Sequence, residues 1–156
     1  MSREDMPNRI YEQLKAHFES HGLKYTPHDE DLVITLTAQG DDFPIPVIIR
    51  VIGEREVLRL SSPLPGEFPE DKRIDAAVAI ATINEHLLNG AFLIDMSDGS
   101  VVYRICQSFH DNDISEEQIR YLMSVVFTTT DEYNDSLFLL AKGMITLEQF
   151  IEKNNQ

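Results

Sequence analysis

A single cysteine, Cys106, stands in the whole chain. An intramolecular disulfide is therefore impossible, and a reducing compartment suits the protein. Basic residues are scarce: 13 Lys and Arg face 27 Asp and Glu, a formal net charge of −14. That shortage disfavours non-specific binding to nucleic acid or to an anionic membrane, since both need a basic patch. An acidic surface favours solubility and can attract basic partners. The seven glycines are scattered, so there is no Gly-rich phosphate loop, and no Gly-x-Ser-x-Gly, kinase or zinc-ribbon pattern appears. Long apolar runs are missing as well. The most apolar segment, Pro44-Ile45-Pro46-Val47-Ile48-Ile49, falls far short of the ~20 residues of a membrane span and reads as a buried strand. Residues 1–8 are polar, with no apolar stretch of signal-peptide length. A cytoplasmic location with no membrane partner is expected.

What is present is enough for one domain. The 156 residues, 42% of them hydrophobic, predict a single unit over residues 1–156 that buries roughly 70% of its extended surface and needs no staple. Ile10, Leu14 and Phe18 share a helical stripe in residues 7–21, and Gly22 stops it. Three strand-like runs follow. Residues 32–37 alternate, residues 47–52 are apolar on nearly both sides apart from Arg50, and residues 57–61 come after the Gly53-Glu54 turn. Pro63, Pro65 and Gly66 are expected to end the sheet run.

A second helix is expected from Pro69 to Leu88 with two apolar faces. Ala76, Ala79, Ile80, Ile83 and Leu87 form one; Ile74, Ala77, Val78, Ala81 and Leu88 form the other. A helix apolar on both sides must be covered on both sides. The sheet supplies one cover, and either another helix or a second copy of the chain supplies the other. The face of Ile74, Ala77, Val78, Ala81 and Leu88 is thus the candidate self-association surface of a homodimer. Residues 91–95 and 101–107 flank Asp98-Gly99, which reads as a two-residue hairpin tip with positive φ at both positions. Ser115-Glu116-Glu117-Gln118 is a capping box with Ile114 and Ile119 as its hydrophobic staple, and it starts a long third helix that stops at Gly143. Thr146-Leu147-Glu148-Gln149, with Ile145 and Phe150, repeats the device for a short last helix.

No catalytic constellation accompanies these elements. His17 and His21 have a helical spacing able to hold a metal, but no Glu of His-Glu-x-x-His and no third ligand accompany them. Asp111-Asn112-Asp113 opens like a calcium loop, yet Glu116 and Leu122 stand where Gly and Glu are required. Asp95 and Asp98 are explained by turn formation. Cys106 has no Cys-x-x-Cys partner and reads as a small buried strand residue. Neither an enzyme, a cofactor nor a metal is expected.

Ile83-Asn84-Glu85, Gly90-Ala91-Phe92-Leu93-Ile94-Asp95 and Asp98-Gly99-Ser100-Val101-Val102-Tyr103-Arg104 resemble the central signature of the bacterial YbjN family, whose members are described as sensory-transduction regulators. His21-Gly22-Leu23-Lys24-Tyr25 is similar to the family's start, and the resemblance covers nearly the whole chain. It implies an α+β fold like that of type III secretion chaperones: a single antiparallel sheet flanked by helices in the order α-β-β-β-α-β-β-α. Such domains usually dimerise and bind extended polypeptide. The family brings no catalytic residues to carry over. The expected function is a cytoplasmic protein-binding domain, chaperone-like or regulatory. The alternative is a small-molecule sensor with a pocket between helix and sheet.

Overall fold

The computed structural model describes residues 5–155; of the polar stretch at residues 1–8, residues 1–4 lie outside the described residues. The elements are α1 (Met6–Ser20), β1 (Thr26–His28), β2 (Val33–Gln39), β3 (Pro44–Ile52), β4 (Val57–Glu67), α2 (Arg73–His86), β5 (Ala91–Ile94), β6 (Ser100–Ser108), α3 (Glu116–Ala141) and α4 (Leu147–Asn154). The strands form one antiparallel sheet in the order β1-β2-β3-β4-β6-β5.

Alternation decides which side of the sheet is covered. Ile45, Val47, Ile49 and Val51 of β3 are buried, while the residues between them are half-buried or exposed. Leu58 and Leu60 of β4, and Val101, Tyr103 and Ile105 of β6, continue the buried side. Period-two side-chain direction puts all of these on one face. There α1 contributes Ile10, Leu14 and Phe18, and α3 contributes Ile119, Leu122, Val126, Leu137 and Leu140, to a single core. Among the described residues, no helix contributes to the opposite face.

Both capping boxes form. Gln118 N donates to Ser115 Oγ (3.1 Å) and Ser115 N to Gln118 Oε1 (2.9 Å); Gln149 and Thr146 repeat the pair at 3.1 and 2.9 Å. Ile114, Ile119 and Phe150 are buried, as hydrophobic staples require. The end of α3 is a Schellman turn: Met144 N reaches Leu139 O (2.9 Å), Gly143 N reaches Leu140 O (3.1 Å), and Gly143 has φ +72°.

Four expectations need correction. A strand precedes the first expected one: β1 is three exposed residues with Pro27 at its centre. It is too short to show periodicity, and a proline is tolerated on such an edge. β4 runs on to Glu67, through Pro63 and Pro65, with an irregular register between Pro63 and Glu67; bulged pairing dispenses with the missing N–H groups. The second helix is shorter than residues 69–88. Pro69 is extended (ψ 156°) ahead of a single 3-10 turn, and Leu87 is extended again (ψ 129°). Finally, Asp98-Gly99 is not a two-residue tip. Asp95 N donates to Ser100 O (2.9 Å) and Gly99 N to Asp95 O (2.7 Å), closing a four-residue loop in which Gly99 has positive φ and Asp98 does not.

Candidate functional site

The signature region of α2, β5 and β6 is assembled by polar clamps. Asn84, in the last turn of α2, donates Nδ2–H to Phe92 O (3.1 Å) and accepts Phe92 N–H on Oδ1 (2.9 Å). Phe92 sits on β5, the terminal strand of the sheet, so the amide stands where another strand's backbone would pair. Gly90 (φ +72°) makes the turn between them; a Cβ there would lie 2.6 Å from Tyr103 Cζ. The Tyr103 hydroxyl donates to Asn89 O (2.8 Å). At the other end of α2, the Arg73 guanidinium donates to Phe68 O (3.1 Å), Met96 O (3.3 Å) and Ser97 O (3.1 Å). The helix is thereby fixed to the β5–β6 loop.

So held, α2 turns Ala76, Ala79, Ile80 and Ile83 into the core, and Leu87 packs against it. The other face stays open. Ile74 is 73% exposed, Val78 43% and Leu88 99%; Ala81 is exposed and Ala77 half-buried. The long α3 lies across β4 and β6, and α4 packs beside α2, with His86 Nε2 3.4 Å from Asn155 Oδ1. Neither helix buries Ile74, Val78 or Ala81. Leu88 lies two residues beyond the helix end, so it adjoins the face without sharing its helical register.

The remaining polar candidates have local duties. His17 is buried, with Nδ1 3.3 Å from Glu116 Oε1, and its ring lies 4.3 Å from that of His21. His21 Nδ1 donates to His17 O (2.8 Å), a carbonyl of the last turn of α1. Among the described residues, no three His, Cys, Asp or Glu side chains group as a metal site would require. Asp113 receives Arg9 Nη2 (2.7 Å) and Gln13 Nε2 (3.3 Å), tying α1 to the lead-in of α3. Asp95 Oδ1 accepts Ser97 N–H (2.9 Å) and Asp98 Oδ1 accepts Ser100 N–H (2.8 Å). Hydrogen bonds from Ser100 hold the Asp98 carboxyl below its usual range. Cys106 is exposed, contrary to expectation, because its position on β6 faces the helix-free side.

A concavity of about 620 Å³ does not lie between helix and sheet. It is a groove between α1 and the start of α3, lined by Gln13, Ala16, His17, Ile114, Glu116 and Ile119 among others. Among the described residues no helix is long and apolar enough to cross a membrane.

These features define a small α+β domain with a type III secretion chaperone-like fold. Residues 11–139 match the model of the YbjN family, described as "Putative bacterial sensory transduction regulator", and the chain belongs to that family. Similar solved structures include two of known description. One is YbjN from E. coli, described as "a putative transcription regulator": TM-score 0.56, 15% identity, covering 84% of this chain and 88% of that one. The other is the ExsC-ExsE complex: TM-score 0.64, 18% identity, covering 85% of this chain and 96% of that one. At these identities the likeness is one of fold. No curated protein matches.

Proposed function

We propose that the protein is a non-enzymatic, cytoplasmic protein-binding domain, chaperone-like or regulatory, that works as a homodimer joined through α2. The open face of α2, with Ile74 73% exposed, carries this reading. An uncovered apolar stripe on an otherwise well-packed domain marks a contact surface, and a two-fold pairing is the commonest way to cover one. Ala77 and Ala81 are small enough for two such helices to approach closely. The ExsC-ExsE complex, a protein-protein assembly on a similar fold, supports protein as the partner class. The net charge of −14 argues against a nucleic-acid partner.

Light scattering at high micromolar concentration tests the dimer. The expected mass is twice 17.8 kDa, and Ala81→Glu yields a folded monomer because Ala81 is exposed within its own chain. A wild-type mass near 17.8 kDa would sink the reading. The second reading, small-molecule sensing, is favoured by the groove between α1 and α3, whose 620 Å³ falls in the range of ligand sites. A ligand screen by thermal shift tests it, since a compound at about 100 times its Kd stabilises by ~2.7 kcal/mol.

A further inference from the structure

The helix-free face of the sheet concentrates positive charge on an acidic protein. Cross-strand partners share a face, so the register assembles it in rows. One row runs His28, Val33, Arg50, Arg59, Cys106; the next runs Thr35, Ile48, Ser61, Arg104, Ala91. Arg50 and Arg59 are direct neighbours, and Arg104 follows one row on. Three of the chain's eight arginines therefore meet here. Among the described residues none of the three is in an ion pair or a side-chain hydrogen bond. No Asp or Glu occupies either row. Glu67 shares the outward phase, but it pairs with Ser100, four residues along β6 from Arg104, roughly 13 Å away. Glu56, in the turn before β4, is paired with His110.

Like charges placed directly opposite on neighbouring strands destabilise a sheet. A chain with 27 carboxylates that leaves this pair unneutralised on an open face presents a site for carboxylates from elsewhere. Apolar side chains flank the arginines: Ile48, two residues before Arg50 on β3, and Val102, two residues before Arg104 on β6, are half-buried on the same face. We propose that this face docks an acidic, extended segment of another protein, its carboxylates on Arg50, Arg59 and Arg104 and its apolar side chains over Ile48 and Val102. The proposal deepens the protein-binding reading above and rests on it. A second copy is a poor occupant, because face-to-face pairing sets arginines against arginines. Nucleic acid is a poor one too, because a dense polyanion meets the remaining negative charge of the domain.

The sole cysteine supplies the reporter, since Cys106 is exposed and directly opposite Arg59. The probe is a fluorescein-labelled peptide of about eight residues repeating Glu-Ser-Leu-Ser, long enough to cross four strands at ~4.8 Å spacing. The control carries Lys in place of Glu. Expected are binding of the acidic peptide alone, several-fold slower alkylation of Cys106 by iodoacetamide at saturation, and weakening as salt rises. The triple variant Arg50→Gln, Arg59→Gln, Arg104→Gln, checked for fold by circular dichroism, should bind about ten-fold more weakly. Arg50→Gln and Arg59→Gln tested singly should each weaken binding less, so the prediction survives if the triple variant misfolds. Equal binding of both peptides, no binding of the acidic one, or unchanged Cys106 reactivity overturns the proposal. So does Cys106 protection that rises with protein concentration alone, which assigns the face to a second copy, or displacement of the peptide by a single-stranded oligonucleotide. A wild-type dimer joined through α2 with no peptide binding would reject the docking face alone. A monomer that binds the peptide would reject the α2 dimer alone.

Discussion

Replacing Gly99 by alanine tests the loop that joins the two halves of the signature region. Gly99 has φ +79°, a Cβ there would overlap the Phe68 carbonyl oxygen, and it would stand 2.9 Å from Phe68 C and 3.0 Å from Arg73 Nε. The same neighbours are bonded: Phe68 N donates to Gly99 O at 2.9 Å, and Phe68 O accepts from Arg73. Alanine therefore incurs the left-handed backbone cost of roughly 1–2 kcal/mol. It must also push Phe68 away, losing a backbone bond worth about 1 kcal/mol and weakening one to a charged donor worth about 2. The total is about 4 kcal/mol, a large part of the roughly 5–15 kcal/mol that keeps a domain folded. At this chain length each kcal/mol shifts Tm by about 2–4 °C, so Gly99→Ala should melt on the order of 10 °C lower.

Gly22 is the internal control. It too has positive φ, +66°, but a Cβ there meets nothing within 4 Å. Gly22→Ala should lose about 1 kcal/mol and only a few degrees. Paired thermal melts, with urea unfolding to check that m is unchanged, measure both. Equal losses in the two variants would refute the steric argument and leave only backbone strain.

Two further outcomes follow from single side chains. Asn84→Ala removes both bonds to Phe92 from a strand edge, so a loss of about 2 kcal/mol is expected in urea unfolding, with faster hydrogen exchange at the Phe92 amide; unchanged exchange would mean that the edge is protected otherwise. Tyr11 is buried, and burial together with its hydrogen bond to Asp29 raises its pKa from 10.0 to about 12. A raised folded-state pKa contributes stability below pH ~10 that is lost as pH climbs through about 12, here on the order of 2–3 kcal/mol. Burial raises Tyr103 and Tyr133 as well, so the Tyr11 share is the difference between wild type and Tyr11→Phe across that window; parallel stability curves would contradict it.

The fold was legible wherever local chemistry and tertiary packing agree. Both capping boxes and the Gly143 stop are short-range hydrogen-bond devices, and their residues are adjacent in the chain. The core side of α2 was legible from the spacing of Ala76, Ala79, Ile80 and Ile83. The misses have physical reasons. β1 exists only because β2 offers it an edge, and nothing in Thr26-Pro27-His28 favours a strand alone. Pro63 and Pro65 read as terminators because their tolerance depends on a bulge that only pairing with β6 creates. Asp98-Gly99 fits several turns, and the choice was made by Asp95, whose carbonyl accepts Gly99 N–H at 2.7 Å. The role of Arg73 was not legible at all, since its three carbonyl partners lie 5 to 24 residues away.

The arginine face illustrates the same limit at the level of function. In sequence, Arg50, Arg59 and Arg104 are isolated cations in three different strands of an acidic chain, and net charge pointed away from nucleic acid and towards basic partners, not acidic ones. Register makes them neighbours. The two open surfaces then differ in the force each uses, and this makes them separable in one titration. Association through Ile74, Val78 and Ala81 is apolar, so salt should leave it intact or strengthen it. Docking on the arginines is electrostatic at an exposed site, so raising salt from about 0.05 to 0.5 M shortens the screening length several-fold and should release the peptide. A dimer that dissociates with salt, or peptide binding that ignores it, would reverse the assignment of the two surfaces.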